Sequence, residues 1–184
     1  MRELEFAVIP FVNEKFMLKS RYRIFNRDVE LWWNKNRFYK PLIRASSVSN
    51  ETYMADTLLE ESGAIWHSKS PPDYPQWLEF EYQKPVIINK LVMYSQEGAP
   101  QRGPSEFYFQ GQDERGRWRD LLTVSHAGFT DTEGVKSWAI QNKEKFKHYR
   151  LYILKNSGSP DFVTIRHIDF EYVFLDVKDR PVRI

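Results

Sequence analysis

The stretch Trp77-Leu-Glu-Phe-Glu-Tyr82 sets the fold class of this chain, because apolar and acidic side chains alternate along it. A β-strand has a period of two, so this segment places Leu78, Phe80 and Tyr82 on one face and both glutamates on the other. The segment Thr164-Ile-Arg-His-Ile-Asp-Phe-Glu-Tyr172 repeats the pattern near the end of the chain. Both stretches predict strands with one buried and one solvated face, as in an antiparallel sheet.

Further short runs are rich in β-branched and aromatic residues, whereas helical periodicity is scarce and its best candidate, 52–62, is short. The proline-rich segment 70–75 cannot lie inside a central strand, because three ladder donors are missing. The segment Asp113-Glu-Arg-Gly116 predicts a tight hairpin turn. Many short strands between polar turns predict an all-β sandwich or barrel. The additional predicted strands are 87–94, 106–110, 118–123 and 148–154.

The composition of the 184-residue chain excludes several classes of protein. A hydrophobic content of 41% allows a sizeable core. A formal net charge of +2 without a basic run argues against nucleic-acid binding. The absence of cysteine excludes disulfides and thiolate metal sites. No apolar stretch approaches the roughly 20 residues that span a bilayer. Residues 1–12 lack the pattern of a signal peptide, so we expect a chain that starts in the cytosol.

Short motifs from residue 45 onward occur in the order of a known family. They are Ala45-Ser-Ser47, Ala55-Asp56, Trp66-His-Ser68, Trp77-Leu-Glu-Phe80, Ile88-Asn-Lys-Leu91, the segment from Phe107 to Trp118, Tyr149-Arg-Leu-Tyr152 and the segment from Ile165 to Phe170. This order resembles the discoidin family, also called coagulation-factor type C domains, whose fold family 32 carbohydrate-binding modules share. The resemblance implies an antiparallel jelly-roll β-sandwich of the galactose-binding-like type, with Trp66 and Trp77 as core wedges. We therefore predict a β-rich extension over 1–44, a sandwich over 45–175 and a tail over 176–184.

The resemblance also implies where a ligand would bind. Sugar-binding members of the family hydrogen-bond the hydroxyl groups of the sugar with His, Arg and Asn side chains. These side chains lie on loops at one end of the sandwich. His67 follows Trp66 in the family's order, and is either a sugar contact or a structural histidine at a strand end. The family's arginine is expected near Ser95 or Gln96, and neither is Arg. Arg102 either substitutes for it from the following loop or is a solvated cation.

Two more loops complete the predicted ligand site. Asp73 and Tyr74 lie on the stiff proline loop, and Phe162 lies on the last long loop, where an aromatic ring can stack on a sugar. Many family members hold a structural calcium near the first loops, and the resemblance assigns Asp56 and Asp169 to such a site. A hard cation needs several oxygen ligands at once. The alternative is a metal-free loop that hydrogen bonds hold together.

No catalytic constellation is present in the sequence. A glycine-rich phosphate loop and a G-x-S-x-G motif are both absent. The four histidines show neither H-x-H nor H-x-x-x-H spacing. The sequence therefore predicts a protein that is not an enzyme.

Two hypotheses for function remain, and they differ in the role that they give to residues 1–44. The first is a structural or adaptor subunit of a larger assembly, such as a bacteriophage virion, which needs no export signal. Here Trp32, Trp33, Arg37 and Tyr39 would contact another protein subunit, in a homo-oligomer or with a different partner. Residues 1–44 could equally add strands to the same sandwich. The alternative is a lectin-like module that binds a cell-surface glycan or polysaccharide. We expect a virion location if the protein is phage-encoded and a cytoplasmic one otherwise.

Overall fold

The computed structural model describes residues 40–56, 58–60 and 65–173. In these ranges the chain forms ten strands and two single 3-10 turns, Glu51–Tyr53 and Pro100–Arg102. No helix in the described ranges has the length and apolar content to cross a membrane. The strands are β1 Leu42–Ala45, β2 Trp66–His67, β3 Gln76–Val86, β4 Ile88–Tyr94, β5 Pro104–Gln112, β6 Trp118–Val124, β7 Val135–Ala139, β8 Phe146–Asn156, β9 Thr164–Ile165 and β10 His167–Tyr172.

The strands form antiparallel sheets, as the sequence predicts. The larger sheet has five strands in the order β1-β3-β8-β5-β6, with β8 at its centre. A three-stranded sheet has the order β10-β4-β7, and β2 pairs with β9 in a small ribbon. The all-β prediction is therefore confirmed.

The core is built by the inner faces of the strands and is mostly aromatic. Phe80 packs edge-on against Phe170 with ring centroids 5.1 Å apart, which joins the five-stranded sheet to the three-stranded one. Phe109 stacks on Tyr149 at 5.4 Å within the larger sheet. The alternation in 77–82 is confirmed, because Leu78, Phe80 and Tyr82 are fully buried.

The two tryptophans predicted as core wedges differ. Trp66 is fully buried, and its indole nitrogen donates to the Ser47 carbonyl at 2.9 Å. Trp77 is only half-buried, so its assignment to the core is wrong. The reason is the period of two, because Trp77 precedes the inward-facing Leu78 and therefore lies on the outer face of the sheet.

Several local predictions can be compared with the structure. The hairpin at Asp113–Gly116 is confirmed, because Gly116 has φ +77° and its N–H donates to the Asp113 carbonyl. The candidate helix 52–62 is limited to the 3-10 turn in its described part. The strand β7 has no counterpart among the predicted strands. Residues 42–44, placed in the N-terminal extension above, belong to β1 and pair with β3.

The remaining predictions for the ends of the chain lie outside the described residues. This applies to the partner contacts Trp32, Trp33, Arg37 and Tyr39, and to residues 174–184. Their assignments stay predictions.

Candidate ligand-binding site

Loops from distant parts of the chain meet at the end of the sandwich where β2 pairs with β9. His67 of β2 lies opposite Thr164 of β9. The N–H of Ser68 donates to the Val163 carbonyl at 2.9 Å, and the Ser68 hydroxyl accepts from the N–H of Val163 at 2.9 Å. The last long loop, residues 157–163 between β8 and β9, is thus tied to the loop that follows β2.

The Ala45-Ser-Ser47 motif holds the first loop, which follows β1, at the same end of the sandwich through hydrogen bonds. The hydroxyls of Ser46 and Ser47 both donate to the Gln76 side-chain oxygen, each at 2.6 Å. Gln76 is buried and donates in turn to the Asp73 carbonyl. The serines of this motif therefore hold the first loop and the proline loop together.

Asn156 shapes the last loop and joins it to the proline loop. Its side-chain nitrogen donates to the carbonyls of Ser159 at 2.7 Å and Phe162 at 2.8 Å. Its side-chain oxygen accepts from the N–H of Gly158 at 3.0 Å, where φ is +110°. Its own N–H donates to the Tyr74 hydroxyl at 3.1 Å. This arrangement fixes the position of the Phe162 backbone.

Arg102 reaches the last loop from the 3-10 turn Pro100–Arg102. Two backbone bonds tie these loops together, from Ser157 N–H to the Gly103 carbonyl at 2.9 Å and from Ser159 N–H to the Gln101 carbonyl at 3.2 Å. The Arg102 guanidinium lies over the Phe162 ring, 5.2 Å from its centroid. One of its terminal nitrogens is 3.9 Å from the Asp161 carboxylate, and a quarter of the Arg102 side chain remains exposed.

A row of rings continues inward from this arginine. The His67 ring lies 5.3 Å from the Phe162 ring on one side and stacks on the Tyr53 ring at 4.0 Å on the other. Tyr53 and Phe162 are partly exposed, whereas His67 is 6% exposed. Tyr53, Arg102 and Phe162 are therefore accessible at the surface, whereas the imidazole is buried against the two rings.

The imidazole in this row is neutral at physiological pH. Burial and, to a smaller extent, the positive charge of Arg102 together lower the pKa of His67 from its ordinary value of 6.5 to about 4. The ring can therefore pack between two aromatic neighbours without the cost of a buried charge.

Polar atoms at this end lack protein partners. Eight buried side-chain atoms make no hydrogen bond within the described part of the chain. Four of them belong to this end: Ser49 Oγ, His67 Nε2, Arg102 Nε and Thr164 Oγ1. Unpaired buried polar atoms are costly, so native proteins satisfy them with water or ligand. The set mixes donors and acceptors, as the hydroxyl groups of a sugar do.

The predicted ligand residues are brought together only in part. His67 of β2, Arg102 of the 3-10 turn Pro100–Arg102 and Phe162 of the last long loop form one cluster. Tyr74 is 40% exposed and reaches the cluster through Asn156. Asp73 is exposed and pairs with Lys69. Their role as ligand residues stays a prediction.

Sequence reasoning missed Tyr53. Asn50 caps the 3-10 turn that carries Tyr53, because its side chain accepts from the N–H of Thr52 at 2.9 Å. An Asn followed by a short polar turn is a local signal that can be found in a sequence. Nothing local indicates that the ring would reach His67, 14 positions further along the chain.

The predicted calcium site does not gather a set of ligands in the described ranges. Asp56 and Asp169 are both exposed, and Asp169 accepts from the N–H of Phe170. No group of three acidic or histidine side chains converges among the described residues. Two carboxylates would leave most of the six to eight positions of a calcium ion to other oxygens. Calcium binding stays a prediction.

A second concave region lies at the opposite end of the sandwich. It has a volume of about 790 Å³ and lies between the hairpin at 113–117 and residues 144–148. Several of its charged residues form ion pairs, such as Arg117 with Asp113 at 2.9 Å and Glu144 with Arg119 at 2.6 Å. Phe146 is its one aromatic lining residue apart from His148, and Phe146 is buried. The end where β2 pairs with β9, termed the loop end below, is therefore the better candidate for a ligand site. It offers the partly exposed rings of Tyr53 and Phe162 beside the Arg102 guanidinium.

Fold and loop geometry together define a β-sandwich of the galactose-binding-like class. The model of the F5/8 type C domain family matches residues 43–168. The chain belongs to this family, and the resemblance to discoidin domains is confirmed.

Solved structures show the same fold. Chitosan-binding module 1 of a chitosanase/glucanase from Paenibacillus sp. IK-5 has a TM-score of 0.59 and 17% identity, covering 72% of this chain and 95% of that module. A Clostridium perfringens module in complex with GalNAc-β-1,3-galactose has a TM-score of 0.58 and 18% identity, with coverages of 70% and 92%. The family 32 module of C. perfringens NanJ in complex with galactose gives 0.58 and 12%, with coverages of 72% and 93%. At these identities the likeness establishes the fold.

The comparisons also bear on the two hypotheses for function. No curated protein sequence matches the chain. The solved relatives named above are carbohydrate-binding modules, which are binding domains rather than catalytic ones. The comparisons give no support to a virion subunit and favour the glycan-binding alternative.

Proposed function

We propose that this protein is a non-catalytic carbohydrate-binding module that binds a glycan at the loop end. The observation that carries the proposal is the cluster of Arg102, Phe162, Tyr53 and His67. It sets a partly exposed guanidinium beside partly exposed rings. Aromatic rings suit the apolar face of a pyranose, and the planar donors of arginine suit neighbouring hydroxyls.

The roles within the cluster follow from burial. Phe162 and Tyr53 offer ring surface, and Arg102 donates to sugar hydroxyls while Asp161 accepts from them. His67 is a positioning residue, because its neutral ring supports both aromatic neighbours from below. Asn156 fixes the loop that carries Phe162, so less loop ordering is needed on binding.

The relatives support a glycan as the class of ligand but differ in the sugar. Their names mention chitosan, galactose and GalNAc-β-1,3-galactose. Sugar-binding members place an arginine near the end of β4, where this chain has Ser95 and Gln96. Ser95 is 3% exposed and donates to the Gly134 carbonyl at 3.2 Å. Ser95 is therefore engaged within the fold, and Arg102 supplies the guanidinium from a different place. We expect a preference that differs from simple galactose binding.

The test is a glycan-array screen of the full chain with and without calcium. Any hit is then competed with galactose, GalNAc-β-1,3-galactose, fucose and chitotriose. We expect a saturable, competable signal. Arg102→Ala and Phe162→Ala should each weaken it about tenfold, from the loss of charge-assisted hydrogen bonds or of ring stacking.

Controls separate loss of contact from loss of fold. Arg115→Ala removes an exposed arginine at the opposite end and should leave the affinity unchanged. Phe162→Tyr keeps a ring and should retain binding. Unchanged affinity in both alanine variants would remove the loop-end assignment. If well-folded protein binds no glycan on the array, the result would favour the hypothesis of an assembly subunit. The contacts to test would then be Trp32, Trp33, Arg37 and Tyr39.

A further inference from the structure

Two parallel rows of side chains lie on the outer face of the five-stranded sheet, beside a third row that contains Leu42, Glu81 and His148. The first row runs across all five strands and contains Arg44, Glu79, Arg150, Gln110 and Asp120, which are neighbours in the strand register. Its charges alternate and sum to zero. The polar groups of this face are thus organised across the sheet rather than scattered over it.

The second row lies two residues further along the strands and is aromatic. Trp77 of β3 is opposite Tyr152 of β8, and Tyr152 is opposite Tyr108 of β5. All three are partly exposed. Neighbouring strands are about 4.8 Å apart, so the row spans about 10 Å between its outer Cα atoms. Three aromatic side chains on adjacent strands give an extended line of apolar surface.

Arg150 joins the two rows. Its guanidinium lies 4.2 Å from the centroid of the Trp118 ring and 4.5 Å from that of Tyr152. Two of its nitrogens donate to the Gln110 oxygen at 2.8 and 2.9 Å, and the Gln110 nitrogen donates to Asp120 at 2.7 Å. The contact with Gln110 uses two of the five N–H groups of the guanidinium. Rings and hydrogen bonds thus hold Arg150 in one place before any ligand arrives.

The size and charge of this face favour one kind of occupant. The five strands have about eight residues each on average, so with about 4.8 Å between strands and 3.3 Å per residue the face measures about 630 Å². A stable protein interface buries about 800 Å² on each partner. A row with no net charge does not select an acidic or a basic ligand. A narrow, neutral chain with apolar faces and hydroxyl groups fits both properties.

We infer that Trp77, Tyr108, Trp118, Arg150 and Tyr152, here termed the sheet-face platform, form a second binding surface for a neutral oligosaccharide chain that lies across the strands. The rings stack on sugar faces, and Arg150 donates to hydroxyls. The inference rests on the proposed function in taking a glycan as ligand. It adds a separate site, so a long polysaccharide could engage both surfaces and gain affinity through effective concentration.

The test uses the isotope-labelled full chain in solution. Cellohexaose, laminarihexaose and fully N-acetylated chitohexaose are titrated separately. The indole N–H signals of Trp77 and Trp118 report on the platform, and the amide of Phe162 reports on the loop end. We expect at least one hexasaccharide to shift both indole signals, and to do so as well in the Arg102→Ala, Phe162→Ala double variant.

Substitutions of the platform provide the second arm. Tyr108→Ala with Tyr152→Ala should weaken hexasaccharide binding to the platform about tenfold, whereas Tyr108→Phe with Tyr152→Phe keeps the rings and should retain it. Thermal melting of each variant shows whether it folds. The indole signals of the unaltered chain give the result even where the alanine pair does not fold.

The outcomes separate this inference from the proposed function. A response of Phe162 with unmoved indole signals would overturn the platform and leave the loop-end site standing. No response of either reporter to any of the three sugars, together with a silent array, would overturn both. Sedimentation that shows self-association lost in the alanine pair, without a change in sugar binding, would make the platform a protein interface and overturn the inference.

Discussion

His67 shows how neighbours change the chemistry of a single residue. In the sequence it is a histidine beside a tryptophan, able to contact a sugar or to support a strand end. In the structure Tyr53 and Phe162 flank its ring and Arg102 lies nearby, so the charged form is disfavoured. Its folded-state pKa of about 4 lies below the ordinary value of 6.5.

This shift predicts a stability loss on mild acidification. The unfolded chain binds the proton first, so the stability that neutral His67 contributes is complete above about pH 6.5 and is lost as the pH falls towards 4. We expect a loss of about 1–3 kcal/mol from this residue. The free energy of unfolding, measured by urea titration at several pH values, should fall less in His67→Phe, which keeps a ring but cannot be protonated. The exposed His126→Phe is the matched control and should follow the unaltered protein. Equal pH profiles for all three proteins would contradict the pKa shift.

At the scale of the element, Gly111 makes the close packing of β5 against the start of β8 possible. A Cβ atom at this position would lie 2.7 Å from the Phe146 ring, well inside normal contact. Phe146 is 4% exposed and packs edge-on against Tyr149 with ring centroids 5.6 Å apart. The glycine therefore serves a packing role here rather than a turn.

Gly111→Ala should destabilise the fold by about 1–3 kcal/mol, because Phe146 must shift within a packed core. The loss would appear in the urea midpoint without a change in the slope of the transition. Phe146→Leu shortens the side chain that meets the new methyl group. The double variant should therefore lose less than the sum of the two single losses, and strict additivity would show that the clash is not the cause.

At the scale of the whole molecule, the strand order ranks local stability. The strand β8 lies at the centre of the larger sheet, bonded to β3 on one side and β5 on the other. The strand β7 is at an edge, and its residues alternate between exposed and half-buried. Local opening is easiest where few apolar contacts are lost.

Amide hydrogen exchange under native conditions should follow this order. We expect the slowest exchange in β8, at rates that approach those of global unfolding, and exchange of β7 through low-energy local opening. Strand-resolved exchange measured by mass spectrometry or nuclear magnetic resonance provides the test. Protection of β7 equal to that of β8 would contradict the assigned topology.

Local features were predictable, because the sequence encodes them within a few residues. The period of two predicted the buried face of β3. The segment Asp113–Gly116 predicted the hairpin that joins β5 and β6. The same rule, applied one residue earlier, would have placed Trp77 outside the core. The exposed edge strand β7 was missed because it buries little and therefore has a weak apolar pattern.

The fold family, the buried faces of β3 and β10, and three residues of the candidate site were predictable from the sequence alone. These follow from side-chain alternation, turn chemistry and the order of short motifs, which are properties of neighbouring residues. Three contacts became known from the folded chain: Tyr53 stacks on His67, Arg102 lies over Phe162, and three rings line one face of the sheet. Such contacts join residues far apart in the chain. They depend on strand order and register, which no local pattern contains.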